Sequence, residues 1–268
     1  MAQQRKQLAT VADIPCDGLA LKPTATELRS LTDRSLDVDR LVIDFEGHEH
    51  VPERAVLDAL AEHHQVFVTT PVRADGFDPL GDHSIVEELP SHIGRVLVAG
   101  HPAYLNGTEA KRAIAPRLRE AVAADNLAHQ PWIGTESVER IAMAIGGVQY
   151  ELLSKSTGRT VRALRNAGYD APIAVYAPTV LSDNDDVVLD ALGDYVARRK
   201  PVREALSALD RSYHTDSNAT GEARSVLRTA TNQYGIAGDR NTVAERIESL
   251  RASGVTDVIC HPAAVTLA

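Results

Sequence analysis

The sequence predicts a single α/β domain over residues 1–268, folded as a (β/α)8 TIM barrel. Three observations predict this fold: hydrophobic residues make up 44% of the 268 residues, the apolar runs have the length of strands, and helix-like segments separate most of them. Alternation of this kind indicates parallel βαβ units. Eight such units in about 250 residues favour a closed barrel over an open sheet.

Eight segments are predicted to be strands because each is an apolar run too short for a typical helix. They are Gly18–Lys22, Arg40–Phe45, Gln65–Thr70, Arg95–Ala99, Pro131–Gly134, Val148–Leu153, Ala171–Ala177 and Val255–Cys260. The last segment is predicted to be the eighth strand of the barrel.

The segments between the strands have the spacing of amphipathic helices. The predicted helices are Thr26–Ser30, Pro52–Glu62, Ile85–Leu89, Thr108–Ala124, Glu136–Ile145, Thr157–Asn166 and Asp183–Leu209. A final helix is expected to begin with Asn241 or Thr242 as its N-cap and to end at Gly254. The stretch Asp210–Gly235 is rich in Ser, Thr and Asn and is interpreted as an irregular, mobile or ligand-covering excursion.

Composition excludes several classes of partner. The formal net charge of -9 argues against a nucleic-acid surface, which needs clustered basic residues. No apolar run approaches the length of a membrane helix, and Met1–Thr10 is polar, so we expect a cytoplasmic protein without membrane contacts. The two cysteines, Cys16 and Cys260, predict no disulfide framework. The expected partner is a small-molecule substrate, and a homodimer is left open.

The end of the chain carries the most recognisable motif. It reads Gly238-Asp-Arg-Asn-Thr-Val-Ala-Glu-Arg-Ile247, then Leu250, then Gly254-Val255. This ending resembles that of the bacterial luciferase-like superfamily, which holds flavin-dependent monooxygenases and deazaflavin-dependent oxidoreductases such as methylenetetrahydromethanopterin reductase. The segments Trp132–Ser154 and Ala171–Asp186 are similar to the family's fifth to seventh strands and their helices. The first half of the chain matches in layout.

The resemblance implies an oxidoreductase that moves a hydride between a deazaflavin (coenzyme F420) or FMN and a small substrate. In the family, the cofactor phosphate rests on the turns after the fifth and sixth strands. Small residues and a helix N-terminus suit an anion there. Glu136 departs from this expectation because it would place a carboxylate beside the phosphate. The implied cofactor-binding residues are Gly134, Thr135, Ser154, Lys155, Ser156, Thr157, Gly158 and Arg159.

The end of the second predicted strand reads Asp44-x-Glu46-x-His48-x-His50. Catalytic residues gather at the C-terminal ends of barrel strands, and alternation places Asp44 and Glu46 on one side. One interpretation is a general acid/base pair, and another is metal ligation. A third is a carboxylate that caps a loop, with both histidines solvated. We predict no metal site, because one strand does not supply three converging ligands.

The loop Pro71–Ser84 is the most unusual connection, since it packs charged residues among Gly and Pro. We predict that Arg73 clamps a substrate carboxylate or phosphate by paired hydrogen bonds and that Asp75 contacts the same substrate. The alternative is that the acids of this loop form Asx-turns beside its glycines.

Two His-Pro pairs follow strands. His101 and Tyr104 come after the fourth strand, and His261 comes after the eighth. The residue before proline is extended, which aims each imidazole across the barrel mouth. We predict proton transfer by His101, and substrate contacts by Tyr104 and His261. The alternative is that these histidines donate structural hydrogen bonds to carbonyl groups.

Two further functions stay open from the sequence. One is a cofactor-free or metal-assisted lyase or hydrolase built on Asp44, Glu46, His48 and His101. The other is a barrel that has lost catalysis and serves as a binding protein. A fold hosts many functions, so the residues at the mouth must decide.

Overall fold

In a computed structural model the protein is described over residues 15–32, 36–124, 129–134, 141–209 and 212–263. Strands of one parallel sheet run through these ranges. They are β1 (Gly18–Leu21), β2 (Arg40–Ile43), β3 (Gln65–Pro71), β4 (Gly94–Val98), β5 (Trp132–Gly134), β6 (Val148–Leu152), β7 (Ile173–Leu181), β8 (Ile236–Gly238) and β9 (Asp257–Pro262).

Eight of these strands close into a parallel barrel, which confirms the predicted fold. Each strand from β1 to β7 pairs with the next, and β9 closes the ring between β7 and β1. Strand β8 lies outside the ring. Thr179 pairs with Ile236 of β8 on one side and with Pro262 of β9 on the other, so β8 extends only the upper end of β7. Each of the eight predicted strands overlaps a barrel strand.

Helices connect the strands. The α-helices are α1 (Arg54–Ala61), α2 (Ser84–Glu88), α3 (Ile114–Ala123), α4 (Ala142–Ile145), α5 (Thr157–Asn166), α6 (Asp185–Ala197), α7 (Lys200–Ser207), α8 (Gly221–Tyr234) and α9 (Arg240–Ala252). Short 3-10 turns occupy Leu28–Leu31, His48–His50, Pro102–Tyr104 and Glu109–Lys111. The predicted helix Glu136–Ile145 is described only from Ile141 onward.

Prolines explain two helices that are shorter than predicted. The single helix predicted for Asp183–Leu209 is two helices, because Pro201 lacks an N–H and fits only the first turn of α7. The helix predicted for Thr108–Ala124 begins at Ile114, which leaves Pro116 in its first turn. N-cap chemistry also differs at α9, where Asp239 accepts from the Thr242 N–H at 2.7 Å, in place of the expected Asn241 or Thr242 caps.

The interpretation of Asp210–Gly235 as an irregular excursion is wrong, because most of it forms the 14-residue helix α8. Its polar composition hides a helical stripe, in which Ala223, Leu227, Ala230 and Tyr234 are buried at spacings of three and four residues. With α6 and α7 this helix builds a core of its own, apart from that of the barrel. In this helical unit, defined as α6–α8, Arg199 and Tyr234 line a cleft together with residues at the end of β6.

The barrel interior is a packed core. Aromatic side chains fill its centre, with the rings of Phe67 and Trp132 4.5 Å apart and those of Trp132 and Tyr150 5.4 Å apart. A filled barrel leaves the C-terminal mouth as the place for a ligand. Among the residues described, none of the helices combines the length and the apolar character needed to cross a bilayer.

We predict that Gly193→Ala destabilises the helical unit. Within a helix this change normally stabilises by up to about 1 kcal/mol. Here an added Cβ would lie 1.6 Å from the Thr215 carbonyl oxygen, so the loop and α6 must separate, at a net cost of about 1–3 kcal/mol. Urea unfolding should show the loss, whereas Gly107→Ala, at a glycine with open space around it, should change stability by less than about 0.5 kcal/mol. An unchanged or raised stability of Gly193→Ala would contradict this packing.

Candidate active site at the barrel mouth

Asp44 lies at the top of β2 and faces the mouth. Val42 belongs to the interior core, and strand alternation turns Asp44 to the same side. The Asp44 N–H donates to the Leu21 carbonyl at 2.8 Å, so pairing with β1 continues to this point. The Asp44 carboxylate accepts from the Thr69 hydroxyl at 3.4 Å and from the hydroxyl of Tyr176. Side chains of β3 and, from across the barrel, of β7 therefore meet at the carboxyl group that follows β2.

Burial raises the pKa of Asp44 from 3.8 to about 6. The charge on Lys22 and the hydrogen bonds from Thr69 and Tyr176 act in the opposite direction, while the charge on Glu46 adds to the rise. Because the desolvation cost wins, Asp44 exchanges its proton near neutral pH. General acid–base catalysis requires this property.

Lys22 is the residue at the mouth that sequence reasoning missed. Leu21 pairs with Ile43, so the next residues, Lys22 and Asp44, top adjacent strands at the same level. The positive charge of Lys22 contributes to lowering the pKa values of Asp44, His101 and His261, so its ammonium group acts electrostatically on all three side chains. The sequence does contain a signal for it, because lysine is rare in this chain, with only five residues, and one of them ends the first predicted strand.

His261 lies at the mouth on β9, as predicted. Its Nδ1–H donates to the Ala20 carbonyl at 3.1 Å, and its ring stacks on that of Tyr176 with centroids 5.7 Å apart. Burial, and then the charge on Lys22, lower the pKa of His261 to about 4. The imidazole is therefore neutral at physiological pH, and its lone pair is on Nε2. Its predicted contact with substrate stays a prediction.

Two tyrosines below the mouth extend this polar group. Burial raises the pKa values of Tyr150 and Tyr176, so both remain protonated donors. The buried Tyr150 hydroxyl has no hydrogen-bond partner among the residues that the structure describes. Buried hydroxyls are normally satisfied, so this donor marks a position where a ligand or water belongs.

The other carboxylate of the predicted pair has a structural contact. Glu46 accepts from the N–H of Thr24 at 2.9 Å and from its hydroxyl at 2.5 Å, so it caps the turn after β1. His48 Nε2 donates to the Asp75 carbonyl at 2.8 Å. These contacts match the loop-capping interpretation and leave Asp44 as the acid–base candidate of this segment. Within the described ranges, no group of three or more His, Cys, Asp or Glu side chains is arranged to hold a metal ion.

The contacts of Arg73 also favour a structural role. Its guanidinium donates to three backbone carbonyls, those of Ala99 at 2.7 Å, Ala110 at 2.8 Å and Gly100 at 3.0 Å. These bonds tie the loop after β3 to the one after β4 and use three of the five donors. A substrate clamp needs two parallel N–H donors of the guanidinium directed at the ligand, and the contacts of Arg73 direct its N–H groups at backbone carbonyls instead.

Ion pairs, of which only those of Asp78 involve a buried carboxylate, explain the charges of the same loop. Asp75 pairs with Arg112 at 2.7 Å, and the buried Asp78 lies between Arg117 at 2.8 Å and Arg112 at 3.3 Å. The Leu80 N–H donates to Asp78, which is the Asx contact of the alternative interpretation. These contacts hold the loop in place beside the mouth. Asp75 is paired with Arg112 but half exposed, and its contact with a substrate stays a prediction.

His101 lies on the exposed rim of the mouth. Its Nδ1 accepts from the Ala103 N–H at 3.2 Å, so in the neutral ring Nε2 carries the proton. Partial burial, Arg198 and Lys22 lower its pKa, in that order. Tyr104 is 39% exposed beside it, with ring centroids 5.9 Å apart. Both residues are at the predicted end of the barrel, and their contact with a substrate remains a prediction.

A cleft of about 400 Å³ lies between the barrel and the helical unit. The hydroxyls of Ser154 and Ser156, 3.1 Å apart, line it at the N-terminus of α5, together with Thr160. Arg199 forms the opposite side, with its guanidinium 4.3 Å from the ring centroid of Tyr195. Hydroxyls at a helix N-terminus and a guanidinium suit an anion, whereas the buried carboxylate of Glu151, which also lines the cleft, opposes one.

The predicted cofactor residues divide at this cleft. Ser154 and Ser156 line it, whereas Lys155 and Arg159 are exposed and are absent from its lining, and the cation is supplied by Arg199. The remaining members have packing contacts or fall outside the described ranges. Thr157 is buried, and its hydroxyl accepts from the Ser154 N–H. Gly158 lies beside Ser253, and Gly134 has no room for a side chain, because a Cβ there would lie 1.6 Å from the Tyr150 carbonyl oxygen. Thr135 and Glu136 are outside the described residues.

We predict that Asp44→Asn raises the free energy of unfolding at pH 7.5. Folded Asp44 keeps its proton up to about pH 6, whereas the unfolded carboxyl releases it near 3.8. The stability that this residue contributes is therefore present below about pH 4 and lost as the pH rises through 6, by up to about 3 kcal/mol. Urea unfolding from pH 3.5 to 7.5 measures the difference between the two proteins, which should vanish at the acidic end.

Glu46→Gln is the matched control for this experiment. It removes the charged acceptor of two hydrogen bonds from Thr24, so it should lower stability or leave it unchanged at pH 7.5. A destabilised Asp44→Asn protein at pH 7.5 would show that the carboxylate is paired and structural.

Comparison with known proteins identifies a family but no activity. A search of curated proteins finds no significant match. A family model, described as a family of unknown function (DUF7388), matches residues 11–267. That family has no assigned activity, so the resemblance to the luciferase-like superfamily stays a prediction. Because the match spans almost the whole sequence, the chain belongs to the DUF7388 family.

Proposed function

We propose that the chain is an enzyme that moves a proton between Asp44 and a small substrate held at the barrel mouth. The observation that carries this proposal is the raised pKa of Asp44, about 6, at a carboxyl group that lies beside Lys22. Carboxylates kept for stability are usually paired, with lowered pKa values. The cost of burying the charge of Asp44 is not offset by its partners, so its pKa stays raised. A carboxyl group of this kind at the C-terminal end of a barrel, where catalytic residues gather, is suited to acid–base chemistry.

The groups around Asp44 have different roles: some orient its carboxyl group, and others can hydrogen-bond a substrate. Tyr176 and Thr69 orient the Asp44 carboxyl through their hydroxyls. His261 is held neutral, with Nε2 as an acceptor, and the Tyr150 hydroxyl is an available donor. A substrate oxygen at the mouth can therefore be hydrogen-bonded while Asp44 exchanges a proton with the adjacent carbon or oxygen.

For the redox step we propose a deazaflavin (coenzyme F420) or FMN, as the resemblance implies. The support from the structure is the cleft, because Ser154, Ser156 and Arg199 fit a phosphate group. When bound, the cofactor supplies the hydride chemistry. The chain's own residues would bind the phosphate and hold the proton at Asp44.

A cofactor-free lyase is the second candidate, and Lys22 favours it. The amine lies beside an acid and a neutral imidazole, a combination that lyases use without a redox partner. Titration of the purified protein with F420 and with FMN, followed by visible absorbance, separates the candidates. Saturable binding of either supports the oxidoreductase, and its absence leaves the lyase.

We predict that Arg199→Met weakens phosphate-bearing ligands about tenfold or more, which corresponds to the 1.5–3 kcal/mol of a charged hydrogen bond. Isothermal titration with pyrophosphate, and with FMN, measures the change. Arg159→Met is the matched control, since Arg159 is exposed and outside the cleft lining. A loss of affinity in Arg159→Met and none in Arg199→Met would contradict this prediction and show that Arg159 binds the phosphate, as the sequence predicts.

We predict that Asp44→Asn lowers turnover by about 10²–10⁴-fold, the usual contribution of a general acid or base. Incubation in D2O with a panel of small hydroxy and oxo acids, monitored by NMR, detects proton transfer before the full reaction is known. The exchange rate of the wild-type protein should follow an apparent pKa near 6, and Glu46→Gln should stay within a few-fold of it. Exchange by Asp44→Asn at the wild-type rate would remove Asp44 from the chemistry.

A further inference from the structure

We propose that Lys22 is a covalent catalytic residue, whose amine forms an imine with the carbonyl group of a small anionic aldehyde or ketone. This inference rests on the proposed acid–base role of Asp44 and names the substrate class that the same mouth would accept. It favours the cofactor-free candidate.

The sheet register places Lys22 between two reactive neighbours. Strand β1 lies between β2 and β9, with Leu21 paired to Ile43 and Leu19 paired to Cys260. One residue further along each strand brings Lys22 level with Asp44 on one side. On the other side, His261 is bonded to Ala20, two residues before Lys22. Lys22 is thus flanked by an acid and a neutral base.

Alternation directs the Lys22 side chain into the mouth. Ala20 belongs to the interior core, so the residue two positions later faces the same side. Pro23 follows, which favours extended backbone at Lys22 and preserves the alternation. The side chain is half-buried and forms no ion pair with a carboxylate within the described ranges.

The contacts argue against a merely structural lysine. A lysine kept to neutralise Asp44 would hold the pKa of that carboxyl below its ordinary value, whereas burial outweighs the charge on Lys22 and the pKa rises to about 6. No salt bridge joins Lys22 to Asp44 in the part of the chain that the structure describes. The two residues follow the paired Leu21 and Ile43 on adjacent strands, so one bound substrate can contact both side chains.

Imine formation has requirements that these residues meet. The Asp44 carboxylate takes a proton from the Lys22 ammonium, and the freed amine attacks the carbonyl carbon. A C–N bond forms, and the C=O π electrons move to oxygen, which takes that proton from Asp44. His261 Nε2 accepts a proton from the nitrogen of this carbinolamine and returns it to the hydroxyl group. The hydroxyl then leaves as water while the nitrogen lone pair forms C=N, and the resulting iminium withdraws electrons from the neighbouring carbon.

The cleft indicates why the carbonyl compound should be anionic. Leu152 packs against the interior core and also lines the cleft, so the cleft adjoins the mouth. A phosphate or carboxylate bound by Ser154, Ser156 and Arg199 would direct the rest of a small molecule toward Lys22.

Pyridoxal 5′-phosphate, an aldehyde that carries a phosphate, is the probe for this inference. The intact protein is incubated with it and with cyanoborohydride, and peptide mass spectrometry locates the reduced adducts over time. We expect Lys22 to be modified roughly tenfold or more faster than Lys200, which is exposed on α7. Phosphate-free pyridoxal should react more slowly at Lys22, and Arg199→Met should remove that difference.

Variants test the assignment further. Lys22→Met and Lys22→Arg should both lose the fast adduct while thermal unfolding shows a folded protein, and Lys200→Met should keep it. Modification spread evenly over the lysines, or a fast phase that survives in a folded Lys22 variant, overturns the inference.

Failure of this inference is distinguishable from failure of the proposed function. If Lys22 is not selectively modified but Asp44→Asn still loses proton exchange, the acid–base proposal stands and the imine does not. If the Lys22 adduct forms at the same rate in wild type and Asp44→Asn, the lysine is the nucleophile and Asp44 is not its acid.

Discussion

Pairing of β9 with both β1 and β7 is the constraint on which the mouth depends. Six consecutive residues of β9 are in register with β7, and the Arg40–Asp257 ion pair, 2.9 Å, fastens the lower end of the same strand to β2. This closure holds His261 against Ala20 and Tyr176, at the end of the barrel where Lys22 and Asp44 follow the paired strands β1 and β2. Without β9, the barrel would be open between β1 and β7, and His261 would be missing from the polar group at the mouth.

Local chemistry made most of this fold predictable. Barrel strands are buried on both sides, so each appears as a short apolar run that periodicity detects. Elements that depend on tertiary context were not recovered. Strand β8 has three residues and exists only because the upper end of β7 offers an edge. Helix α8 was obscured by Ser, Thr and Asn, whose low helix propensity is overridden by burial of Leu227 and Tyr234.

The site was predictable where strand position alone decides it. Asp44 and His261 top strands, and both lie at the mouth. Thr69 and Tyr176 look like ordinary strand residues, and their contact with Asp44 appears only once the strands are side by side. Arg199 comes from an inserted helix and could not be assigned to the cleft by proximity in sequence. Conversely, the sequence alone predicts functional roles for Arg73, Asp75 and Glu46. In the folded protein these three side chains bind residues of neighbouring loops and stabilise them.

The opposite pKa shifts of Asp44 and His261 give the mouth an unusual charge response. With ordinary values, a carboxyl near 3.8 and an imidazole near 6.5 would both be charged over the mildly acidic range. Here the order is reversed, since burial keeps both neutral between about pH 4 and about 6. Across that interval neither Asp44 nor His261 is charged, so the charge of the mouth comes from its other ionisable groups, Lys22 and Glu46 among them. Mild acid therefore removes the negative charge of Asp44, which favours anions at the mouth, and leaves His261 unprotonated.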